Sequence, residues 1–309
     1  MSDLLILNPH LQIVRCGNDE ILVKQGTRSL FSESIADEDR NGILGSLVQS
    51  FRTGAAVDEV LADFDEARDV AATFITGLRE RHVLIDPHGE LGALYTETFY
   101  GADLAGAKVT VVGAGALGEA IASQIREAGV GHVSISDPRR GDSIAIDDIF
   151  AGTDLVVLAW EELSPRLFTE VNLAAIDAGV PWLACYLDGH EAIVGPTTVP
   201  GESACWFEYL AQAEASITQK DSYQVYKDHL LDKAVATVSD FSPPPLRGIA
   251  AGLAATTILK TLTGQAVPTL NRAIRVDLDR FSVDYQQVLR LPRCPACGPQ
   301  RPAYRQLFL

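Results

Sequence analysis

The stretch that decides the fold runs from Val109 to Asp137, VTVVGAGALGEAIASQIREAGVGHVSISD. A short apolar strand, Val109 to Val112, meets Gly113-Ala-Gly115-Ala-Leu-Gly118. A helical pattern follows with Leu117, Ile121 and Ile125 on one face, and then a second strand ending in Asp137. This is the order of a dinucleotide-binding βαβ unit. Gly113 serves the tight turn, Gly115 lets backbone approach a phosphate, and Gly118 lets helix pack closely on strand. A phosphate would sit at the helix N-terminus, where free N–H groups and the dipole favour an anion. Asp137 lies near the spacing of about 20 residues expected of a ribose-binding acid. Gly113, Gly115, Gly118 and Asp137 are therefore the expected nucleotide-binding residues, although the same pattern also builds Rossmann-type elements that bind no nucleotide.

The chain of 309 residues has room for two domains, each with its own core. Hydrophobic residues make up 47% and charged residues 21%, the composition of a soluble globular protein. A net charge of −16 argues against nucleic acid and against an anionic membrane, because nothing neutralises phosphates in bulk. The start, MSDLLILNPHLQ, lacks a basic segment and a small-residue cleavage site, so no signal peptide is read. Gly248 to Leu262 is too short and alanine-rich to span a bilayer. Five unevenly spread cysteines do not make a disulfide framework, and a reducing cytoplasm fits better.

Residues 1–90 read as strands followed by helices. Leu4 to Leu7, Leu11 to Cys16, Glu20 to Lys24 and Thr27 to Phe31 are strand candidates, separated by Asn8-Pro9 and Gly17-Asn18-Asp19. Helical patterns cover Asp39 to Arg52, Val57 to Phe64 and Glu66 to Arg81, the last with Asp63 or Asp65 as N-cap. His82 to Ile85 would add a wing strand, which predicts a winged helix-turn-helix. DNA binding is disfavoured: the segment has roughly twice as many acidic as basic residues, and the helix EARDVAATFITGLRER lacks a basic face.

This order of elements resembles the PqqD-like leader-peptide recognition domain of ribosomal peptide natural-product biosynthesis. The resemblance implies that a leader peptide adds as a strand to the sheet edge and lies against the third helix, by β-augmentation. The edge would be Arg28, Ser29, Leu30 and Phe31, and the helix would offer Phe74 and Leu78. Ordinary core packing is the alternative for the last two.

Residues 91–107 read as a glycine-bearing linker, and residues 108–309 as an α/β domain. Strands are expected at Asp154 to Leu158, Trp182 to Tyr186, Ala192 to Gly195, Ala273 to Leu278 and Tyr285 to Leu291. A helix is expected from Pro165 to Ala178, and a second, GIAAGLAATTILKTLTG, after a break at Pro243-Pro244-Pro245. The landmarks, in order, are GAGALG, Asp137, TDLVVLA, Gly195-Pro196, Pro200-Gly201, Cys205, the helix ending Leu262-Thr-Gly264, and Cys294-Pro-Ala-Cys297-Gly298. They resemble the ThiF-like, ubiquitin-activating-type superfamily. The two halves together resemble the ocin-ThiF-like proteins of thiazole/oxazole-modified peptide (TOMM) clusters. That resemblance implies a non-catalytic protein that binds a precursor leader peptide and presents its core Cys, Ser and Thr to a separate YcaO-type cyclodehydratase, with a homodimer compatible with it.

Two departures from the superfamily matter. Adenylating members hold triphosphate with Asn, Arg, Gln and Lys side chains between the ribose acid and the next strand. Here Pro138 to Thr153 offers only Arg139 and Arg140. Nucleotidyl transfer depends on such positioning and charge, so ATP is not expected as a cofactor. The superfamily's metal-binding Asp aligns with Glu161 in Ala159-Trp-Glu-Glu162. The resemblance also implies zinc held by four cysteines, of which Cys205, Cys294 and Cys297 are present, with Glu208 in place of the fourth and His229 as a substitute. Cys16 and Cys185 fall in strand patterns and read as small hydrophobes. Three functions stay open: a leader-binding cyclodehydratase partner, a ThiF-like adenylyltransferase acting on a peptide or sulfur-carrier C-terminus, and an NAD-linked oxidoreductase.

Overall fold

Turn formers interrupt the apolar runs at the start of the chain, and short strands form between them: β1 (Leu4–Leu7), β2 (Gln12–Arg15), β3 (Glu20–Lys24) and β4 (Ser32–Ala36). The computed structural model describes residues 3–113, 115–136, 146–232 and 242–298. It divides into two bodies, Met1–Phe99 and Tyr100–Leu309.

In the first body β2, β3 and β4 form an antiparallel sheet in that order, while β1 pairs with β5 (Ala55–Ala56) and β6 (Leu84–Ile85). Around them lie α1 (Leu44–Ser50), α2 (Val57–Ala62), α3 (Arg68–Glu80) and α4 (Leu91–Tyr100). Leu5, Ile21, Leu44, Leu47, Phe51 and Leu78 are buried in one core.

Four expectations change here. The strand placed at Thr27 to Phe31 starts at Ser32 instead. Gly26 turns left-handed at φ +73°, and Ser29 Oγ accepts the Phe31 N–H at 3.0 Å, which takes the amide a ladder would use. The first helix starts at Leu44 and not at Asp39, because the Asp37 carboxylate accepts the N–H groups of Asp39 and Asn41 in a local turn. The third has Ala67 as N-cap with no side-chain cap, a 3₁₀ turn at Asp65–Ala67 having displaced both aspartates. Part of the expected linker is helical, forming α4.

The second body is built on a seven-stranded sheet. Its elements are β7 (Lys108–Gly113), α5 (Ala116–Glu127), β8 (His132–Ser136), β9 (Leu155–Trp160), α6 (Pro165–Ala178), β10 (Trp182–Asp188) and β11 (Glu191–Thr198), then α7 (Trp206–Ala215), α8 (Lys220–Asp232), α9 (Pro244–Leu262), β12 (Arg272–Asp277) and β13 (Ser282–Gln287). The order across the sheet is β13-β12-β11-β10-β9-β7-β8. β8, β7, β9 and β10 run parallel, and β11, β12 and β13 continue antiparallel. The result is a mixed α/β sheet covered on both faces. β9 is buried at every position, and its residues alternate between two cores: Leu155, Val157 and Ala159 face α5 and α9, while Val156, Leu158 and Trp160 face α6. Such double burial reads in sequence as a continuous apolar run.

Two details differ from expectation. Pro244 and Pro245 open α9 instead of preceding it, since proline at a helix start removes only N–H groups that would lack intrahelical partners. The last strand is Ser282–Gln287 and not Tyr285 to Leu291. Gln212 takes over the Leu289 backbone, accepting its N–H at 3.0 Å and donating to its carbonyl at 2.9 Å. No helix of the described residues is long and apolar enough to cross a membrane.

Candidate functional site

The glycine turn has the geometry its residue types demand. A Cβ on Gly113 would lie 2.8 Å from the Gly118 Cα, and one on Gly118 would lie 2.9 Å from the Gly113 Cα. Strand end and helix start therefore touch through bare backbone. Gly115, with φ +94° and ψ −149°, is the N-cap of α5. Leu117, on the second residue of that helix, donates its N–H to Glu161 Oε1 at 3.1 Å. Glu161 follows β9 directly and is only 7% exposed. Asp137, Arg139 and Arg140 lie outside the described residues. Burial, reinforced by the charge of Glu161, pushes the Cys185 thiol up to about 12, so it is no nucleophile at neutral pH.

The second constellation joins residues far apart in sequence. Cys205 is the N-cap of α7 and Glu208 sits in its first turn. Cys294 and Cys297 come from the loop after β13. Their ligand atoms, three sulfurs and a carboxylate oxygen, all lie within 4.8 Å of one another. Cys205 Sγ and Cys294 Sγ are 3.7 Å apart, close to the roughly 3.8 Å that a tetrahedron with Zn–S bonds of about 2.3 Å requires. Glu208 is fully buried. Its Oε2 accepts the Cys205 N–H at 2.8 Å and the Cys297 thiol at 3.5 Å, and its Oε1 accepts the Leu291 N–H. The CPAC turn needs Gly298, where a Cβ would meet the Cys294 carbonyl oxygen at 2.5 Å. Cys294 accepts hydrogen bonds from the thiols of Cys205 and Cys297 and from backbone, which lowers its pKa. Donation to Cys294 and Cys297, with burial, raises that of Cys205. The cluster can hold a metal, and its donor set of thiolates with one carboxylate suits zinc. His229 is exposed on α8 and lies outside it.

The expected peptide-binding residues are divided. Arg28, Ser29, Leu30 and Phe31 form the loop between β3 and β4 and no sheet edge, with the Leu30 side chain fully exposed. Leu78 is core at 1% exposure, whereas Phe74 is half-buried against the core. The edge strand that follows this loop is β4, the other edge of that sheet being β2. The Asp37 N–H bonds the Asp19 carbonyl at 2.7 Å, and Ile21 and Val23 lie opposite Ile35 and Glu33. By the alternation of an antiparallel ladder, Glu33 and Ile35 bond β3, and Ser32, Ser34 and Ala36 turn their N–H and C=O groups outward.

No protein-family model and no curated protein matches the chain. Solved structures share its fold. The heterocyclase TruD superposes with a TM-score of 0.63 at 18% identity, over 95% of this chain and 42% of that one. The microcin C7 biosynthetic enzyme MccB in complex with N-formylated MccA gives 0.56 at 18% identity, over 96% of this chain and all of that one. E. coli MccB with ATP gives 0.54 at 19% identity, with the same coverage. The chain thus has the fold common to these two enzymes and spans about two-fifths of the heterocyclase's length.

Proposed function

We propose that this protein recognises the leader of a ribosomally made precursor peptide and presents the peptide to a separate YcaO-type cyclodehydratase that forms azolines from Cys, Ser and Thr. The observation that carries this reading is the extent of the likeness: TruD and MccB match over 95% and 96% of the chain, both bodies included, and not over the α/β sheet alone. In this reading the first body is a winged helix-turn-helix of the PqqD type, and the leader pairs with the outward-facing groups of β4. The second body is a ThiF-like scaffold, stapled by zinc at Cys205, Cys294, Cys297 and Glu208. Zinc there contributes folding energy and no chemistry.

The register names the test. Proline at Ser34 removes an outward N–H while leaving the β3–β4 ladder intact. Ser34→Pro should weaken binding of a fluorescein-labelled leader, read by fluorescence polarisation, at least tenfold in a protein whose circular dichroism is unchanged. Full affinity in the folded variant would overturn the assignment. Because MccB, solved with ATP, matches along its whole length, adenylyl transfer to a peptide is the second reading. Pyrophosphate exchange into ATP by this chain alone would establish it.

A further inference from the structure

The N-terminus of α5 is where a Rossmann-type turn receives phosphate, because its first amides have no partner within the helix and the dipole is positive there. In this protein one of those amides is already engaged. Leu117 N–H donates to Glu161 Oε1 at 3.1 Å, both groups buried. The carboxylate arrives from 44 residues downstream, carried there by the parallel pairing that sets Gly113 beside Ala159, two residues before Glu161. The contact therefore belongs to the sheet register and not to a mobile surface side chain.

We infer that Glu161 is a built-in anion that occupies the phosphate seat of the glycine turn, and so closes that turn to nucleotides. An incoming phosphate must do two unfavourable things at once. It has to displace a carboxylate held at high effective concentration by the fold, and it has to approach that carboxylate as one anion approaching another. Glycines alone thus do not make a nucleotide site here: the backbone is shaped for phosphate, and the protein supplies the anion itself. The inference deepens the scaffold reading of the second body and rests on it. Its test reads phosphate binding and not leader binding, so either can fail without the other.

The experiment is isothermal titration of the full chain, as wild type, Glu161→Ala and Glu161→Gln, with sodium tripolyphosphate and separately with MgATP. Glu161→Ala removes both the charge and the plug and should bind tripolyphosphate at least tenfold more tightly than wild type. Glu161→Gln keeps an acceptor for Leu117 but not the charge, should remain folded, and should fall between the two. The same order should hold for MgATP. Two results would overturn the inference. One is folded Glu161→Gln with no gain for either probe. The other is MgATP binding by wild type that Glu161→Ala loses, which would make Glu161 a ligand of the magnesium and not a substitute for the phosphate.

Discussion

Helices α5 and α7 of the second body both begin on a buried glutamate, and the two arrangements differ in where that glutamate comes from. In α7 it is Glu208, three residues past the N-cap, which reaches back to the Cys205 N–H in a capping box. The next amide, that of Trp206, goes to Asn172 Oδ1 at 3.1 Å. In α5 it is Glu161, brought in from another strand to the Leu117 N–H. Both helices need negative charge at this end. Where the charge is supplied locally, the carboxylate keeps an oxygen facing the sulfurs, and the helix start becomes one side of a cluster that could hold a metal. Where it is supplied by the sheet, it fills a turn otherwise shaped for a ligand. The same physical demand thus leaves one helix start beside a cluster able to hold a metal and the other capped from across the sheet.

The largest effect expected from breaking this contrast lies on the metal side. Cys297→Ser should release bound zinc, measured by atomic absorption, and lower the melting temperature more than either destabilising change below, since structural metal binding is folding free energy. Protein prepared without chelator and found free of zinc would remove the metal from the account. Next comes Gly118→Ala, whose Cβ meets backbone at 2.9 Å with nothing flexible to yield. It should cost about 1–3 kcal/mol, or about 2–4 °C for each kcal/mol. Gly252→Ala in α9 is the control: its Cβ meets only Gln124 Oε1 at 3.9 Å, so the helix should gain about 0.5–1 kcal/mol. The smallest loss of stability is expected of Glu208→Gln. Both carboxylate oxygens accept backbone N–H groups and glutamine has only one such oxygen, so one amide loses its acceptor at about 1 kcal/mol or slightly more. Thermal melts with and without added zinc separate that cost from any loss of metal affinity.

What the sequence by itself determined is whatever depends on neighbours a few residues apart. The glycine turn, the helix face of Leu117, Ile121 and Ile125, and the doubly buried run at β9 were legible because steric limits and burial period are written locally. Cys205, Glu208, Cys294 and Cys297 could be named as one set only through a resemblance, because no local rule relates residues 89 apart. Local signals also misled where two competed: apolar Leu30 and Phe31 suggested a strand, but the Ser29 hydroxyl holds the Phe31 amide in a turn. Glu161 shows the limit most plainly. In sequence it stood only as the counterpart of a metal-binding acid, because its partner is a backbone amide, which every residue but proline carries and which no pattern marks. Only the register of β7 against β9, set by burial across the whole sheet, decided that this carboxylate would meet the start of α5.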